Sequence, residues 1–189
     1  MQTLKKSLII LILLSGFMVS CNPAEQYKKE IAEIDSCLAK VDSLEILYDG
    51  IEFDSLRLMV EHVKANEKDI KNLYQPDTLN EKFGRQMNDC KAIRKRLKNL
   101  DREELVLGDE INAVKHQLTD LKEDVLKGVL DEEQIAQFLA VEKKALEKVN
   151  LAFMSFYKVQ AEEKNRYYVV VPEVDAFIAE LKTNREVTE

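Results

Sequence analysis

From Leu79 to Val125 the apolar positions recur at alternating steps of four and three: Leu79, Phe83, Cys90, Ile93, Leu97, Leu100, Leu107, Ile111, Val114, Leu118, Leu121 and Val125, with Gln86 and Glu104 as polar exceptions. Steps averaging 3.5 residues keep one seam on one side of an α-helix, and such a seam must be covered by a supercoiling partner. At about 1.5 Å per residue the stretch makes a rod roughly 70 Å long. One local signal opposes continuity. Asp101 and Glu104, flanked by Leu100 and Leu105, read as a capping box with its staple, and Gly108 weakens the helix nearby. The apolar register passes through unshifted, which predicts a single helix.

The chain on either side supplies the cover. Lys127-Gly128 is a helix stop, and Leu130-Asp131-Glu132-Glu133-Gln134-Ile135 is a restart with Asp131 as cap, Gln134 reaching back and Leu130 stapled to Ile135. Two long helices joined by so short a loop run antiparallel. The second carries Ile135, Leu139, Leu146, Val149, Phe153, Phe156, Tyr167 and Val170 on its seam, interrupted by Glu142, Gln160 and Glu163. Tyr167 to Val171 favours extended chain and Pro172 favours a break, so a short last helix is expected from there to about Lys182. Towards the N-terminus, a helix from about Ala24 to Tyr48 ends at Asp49-Gly50. A second begins at Phe53-Asp54, with Asp54 capping and Phe53 stapled to Leu58, and runs to about Tyr74 before a turn at Gln75-Pro76-Asp77. The predicted fold is all-α: a long antiparallel coiled-coil hairpin, with the two shorter N-terminal helices packed on its open end as a four-helix base and a two-helix arm projecting towards Gly128.

Composition agrees with long helices: of 189 residues, 33% are charged and only five are Gly and three Pro. The first twenty-one residues contain Lys5, Lys6 and no acid, so their removal takes the formal charge from −7 to −9. That acidity argues against a general nucleic-acid binder, which needs excess cations to displace counterions.

Residues 1–20 read as an export signal, with a charged start, an apolar run from Leu8 to Leu14 too short to span a bilayer, and a more polar end. Met18-Val19-Ser20-Cys21 resembles the lipobox of bacterial lipoprotein precursors, with Met18 where Leu is commoner. The resemblance implies cleavage before Cys21 and acylation of its sulfur and amine. Two or more buried acyl chains hold a protein stably to a membrane surface. Residues 21–23 would then be the lipidated cysteine and a short tether, and 24–189 the helical domain. With the hairpin approach Gln117-Leu118, Leu121, Asp124 and Gly128, the whole is similar to the small helical lipoproteins common in Bacteroidetes, a likeness that names no activity.

Export places Cys37 and Cys90 where a disulfide persists, and the folded-hairpin register puts them at nearly equal height. They read either as a bridge or, preferably, as two buried thiols. Lys91, Arg94, Lys95, Lys98 and Arg102 share one helical face, which suits anionic lipid, a polyanion or an acidic partner, or else a solvated face paired with nearby acids. Glu142 falls on its seam level with His116, as a shared-proton contact or as a carboxylate reaching out to water. His62 and His116, the two histidines, lie outside HExxH, ExxH and CxxCH patterns, and no glycine-rich phosphate loop or GxSxG elbow occurs. No metal or cofactor is expected, and no familiar enzyme. The reading that follows is a membrane-anchored envelope protein that engages a protein partner, with pairing of two copies left open. A periplasmic holdase is the alternative, and an enzyme with an unrecognised site ranks last.

Overall fold

In the computed structural model, residues 22–75 and 80–188 are described, with side chains through Arg185, and they are all-α with no strand among them. The expected export signal, Cys21, and Pro76 and Asp77 of the expected turn lie outside the described residues. Helix α1 is one turn, Pro23–Gln26, capped by Asn22, whose side chain accepts from the Ala24 N–H at 3.2 Å. Tyr27 interrupts it before α2, Lys28–Asp49. Then follow α3, Phe53–Leu73, α4, Glu81–Arg96, α5, Leu100–Lys127, and α6, Glu132–Thr188.

The predicted seam is buried from Phe83 to Val125, but the helix carrying it is broken. Residues 97–99 unwind between α4 and α5, so the expectation of one continuous helix is corrected. The break also lies ahead of the predicted cap, since Asp101 sits inside the first turn of α5. Leu97 and Leu100 remain 2% and 5% exposed on either side, which is why the apolar register gives no sign of the break.

At Gly128 the hairpin is as expected. Gly128 takes φ 67°, and the N–H groups of Gly128 and Val129 return to the carbonyls of Val125 and Asp124, a Schellman closure. Asp131 and Gln134 then exchange hydrogen bonds as a capping box, at 3.0 and 2.8 Å. In α6 the predicted interruption is absent, and the helix runs through Pro172 for 57 residues. Val171 and Val174, 1% and 0% exposed, bury this stretch, and their packing offsets the lost backbone bond of roughly 3 kcal/mol that an interior proline entails.

The largest correction concerns the first helices. Pro23 lies against Gly128, so closely that a Cβ there would stand 2.9 Å from the proline Cγ. Lys122 pairs with Asp35 at 2.6 Å and Lys115 with Asp42 and Glu45 at 3.0 and 2.5 Å, which lays α2 along α5. The pairing continues past the α2–α3 joint: Arg57 meets Asp101 and Glu104, Glu67 meets Arg94, and Tyr74 meets Phe83. Thus α2 and α3 form one column antiparallel to the column of α4 and α5. The same column runs parallel to α6, where Glu33, Phe53, His62, Asn66 and Asp69 meet Lys143, Phe156, Tyr167, Asp175 and Lys182. The molecule is a three-column rod, and neither a four-helix base nor a bare two-helix arm forms. Phe53 stacks on Phe156 and Leu58 is 71% exposed, so the expected staple and the Asp54 cap are also absent.

Candidate functional site

The two column joints are staggered along the rod, and the segment between them is tied across the columns. Tyr48, at the end of α2, donates its hydroxyl proton to the Glu104 carbonyl at 2.8 Å, and Arg57 on α3 binds Asp101 at 2.8 Å and also Glu104. The long helix α6 runs unbroken past both joints.

The five cations predicted to share one face are divided by the break at 97–99. Lys91 and Arg94 line a groove between α3 and α4, where Glu67 binds Arg94 at 2.8 Å. Lys98 lines a separate hollow between the 97–99 turn and α6, with Phe156 and Val159 on its far wall. Lys95 and Arg102 are exposed. Arg96, which the stripe omitted, reaches inward to Glu162 at 3.0 Å and Glu163 at 2.6 Å.

Glu163 is fully buried, and Arg96 and Arg166 satisfy its two oxygens. One turn further on, Tyr167 and His62 Nδ1 share a hydrogen bond at 2.6 Å, His62 Nε2 lies 3.1 Å from Asp175, and the nearly buried Asn66 donates to Asp175 at 2.6 Å. Burial raises the Tyr167 phenol above its ordinary range, with Asp175 adding to it. This arrangement knits α3 to α6. It was missed because its partners come together only when α3 lies parallel to α6, a placement no spacing within one helix reveals.

Cys37 and Cys90 are free and buried. Glu67 meets Arg94, so the residue of the first column level with Cys90, one turn before Arg94, is near Lys71, about 34 positions along from Cys37 and so about 50 Å away, and the bridge is ruled out within one chain. Burial pushes the Cys90 thiol up to about 11. The pair of His116 with Glu142 is likewise not formed: His116 is exposed, whereas Glu142 Oε2 is buried without a hydrogen-bond partner, and burial raises its carboxyl. Exposure of His116 follows from its place two positions from each of the seam residues Val114 and Leu118, on the opposite face of the helix.

A second groove, of about 640 Å³, lies between α2 and α6, floored by Cys37, Leu44 and Leu146 and edged by Lys40, Lys143 and Glu147. No group of three or more potential metal ligands occurs among the described residues, and no described helix is long and apolar enough to cross a membrane. No protein-family model, curated protein or solved structure matches this chain, so its surfaces are interpreted from their own geometry.

Proposed function

We propose that the chain is a lipid-anchored interaction protein of the bacterial envelope, held to a membrane through Cys21 and presenting its rod to a protein partner. The observation that carries this reading is the position of Asn22 and Pro23. Asn22 caps α1 and Pro23 packs on Gly128, so acyl chains on Cys21 would leave the Gly128 end at the bilayer. The 57 residues of α6 would then carry the opposite tip roughly 85 Å outward. A rod fixed at one end suits reach and display. Cys21→Ser is expected to move the protein from the membrane fraction to the soluble fraction; a variant that still sediments with membranes contradicts the reading.

The holdase alternative needs apolar surface for a client. Since α2 covers the facing sides of α5 and α6, the α2/α6 groove is where a client would be gripped. Suppression of aggregation of an unfolded model client, lost in Leu47→Glu, would favour that alternative.

A further inference from the structure

The groove between α3 and α4 combines an apolar floor with a cationic rim on an otherwise acidic molecule. Ile70, Tyr74, Phe83 and Met87 form the floor of a trough of about 440 Å³. Lys71 and Lys91 are exposed on its two edges, and among the described residues neither has a carboxylate partner. Glu67, the acid in the trough, is already neutralised by Arg94. Lys95 extends the unpaired positive charge one turn along α4.

We infer that this trough is a docking site for an acidic amphipathic segment of a partner protein, with apolar side chains on the floor and carboxylates on Lys71 and Lys91. Two facts select the occupant. Lysines without a carboxylate partner among the described residues favour an anion, while the floor of aromatic and aliphatic side chains favours apolar groups on the same ligand. A headgroup of the protein's own membrane fails on distance. This step rests on the proposed anchor: Lys91 is level with Ile70, 47 residues along the first column from Pro23, and so stands about 70 Å from the Gly128 end. Surface potentials decay within a Debye length of about 10 Å at 0.1 M salt.

The full-length chain in non-ionic detergent tests this by fluorescence anisotropy. The probe is a fluorescein-labelled twenty-residue peptide with leucines on one helical face and glutamates on the other. The expected result is saturable binding that weakens at least tenfold in Lys71→Glu/Lys91→Glu, and also in Met87→Ala, but is unchanged in Lys29→Glu/Lys144→Glu. Lys71→Ala/Lys91→Ala, with helicity checked by circular dichroism, repeats the loss without added acid. Equal binding of the same peptide with lysines for glutamates, full binding by the Lys71/Lys91 variants, or displacement of the peptide by dihexanoyl phosphatidylglycerol would overturn the proposal. Binding in solution does not depend on the anchor, and fractionation of Cys21→Ser is blind to the trough, so the two readings fail separately.

Discussion

Glu142 and Glu163 both stand on α6 where its seam calls for an apolar residue, yet their surroundings differ. Glu163 is met by Arg96 and Arg166, so its buried charge is paired on both oxygens. Glu142 has a buried oxygen with no partner, and its carboxyl is raised. The folded state therefore holds that proton more tightly than the unfolded chain. The penalty is present above the folded-state pKa and fades as pH falls towards 4.5. Glu142→Leu is expected to stabilise the protein at pH 7 by about 1 kcal/mol, the lower part of the range for an unsatisfied buried group. Urea melts at pH 7 and pH 4.5 check it: the gain should shrink at the lower pH, and a destabilised variant at pH 7 refutes it. Glu33 and Glu52, bonded to Lys143 and Lys164, have lowered carboxyls and the opposite sign; their contribution is present above pH 4.5 and lost on further acidification. Sequence alone marks Glu142 and Glu163 as exceptions of one kind, because the cations that separate them come from another helix and from the next turn.

Gly108 carries a similar lesson. Within one helix it reads as a weak point, whereas a Cβ there would lie 2.8 Å from the Tyr48 hydroxyl, so the glycine is the seat of a side chain 60 positions away. Gly108→Ala is expected to lose about 1 kcal/mol as the Tyr48 hydrogen bond is displaced, a cost that the helix-propensity gain offsets only in part. In Tyr48→Ala the same change should instead stabilise by up to about 1 kcal/mol. A double-mutant cycle read by thermal melting separates the two, and additivity would contradict the seat. Cys90, buried with its thiol raised to about 11, should resist iodoacetamide until the protein unfolds, while Cys37, on the floor of the α2/α6 groove, should react sooner. Mass spectrometry of partly labelled native protein with Cys90 modified first would refute this.

At the scale of elements, the ends that are set locally were legible and those set by distant partners were not. The Gly128 stop and the Asp131–Gln134 restart need only neighbours in sequence, and both form. Gly128→Ala should cost about 1–2 kcal/mol from the left-handed backbone alone, and crowding against Pro23 adds to it. Thermal melts unchanged within error would refute this. By contrast, the unwinding at 97–99 comes just before Asp101 and Glu104, which are held by Arg57 and Tyr48 of the first column. Pro172 shows the converse: a local break signal is overridden because Val171 and Val174 are buried.

For the whole molecule, the hairpin was foreseen and its cover was misplaced. Taken singly, α2 and α3, of 22 and 21 residues, look too short to cover a rod, which led to the expectation of a bare arm. End to end they match α4 and α5, of 16 and 28 residues, and the cross-column ion pairs keep step throughout. The joint at Asp49 to Glu52 reads as a loop that folds back, whereas Tyr48 and Phe53, their rings 5.7 Å apart, carry the column onward. Each half of the rod is thus a three-helix bundle, and α6 is common to both.

Electron-electron distances between spin labels test this arrangement most directly. Cysteines are introduced at Lys28 and Glu123, or at Lys28 and Arg85, in a chain with Cys21→Ser, Cys37→Ala and Cys90→Ala. The rod requires the first pair within about 25 Å and the second at roughly 65 Å, from 1.5 Å per residue along the first column. A short distance from Lys28 to Arg85 with a long one to Glu123 would place the first helix at the other end and contradict the three-column rod.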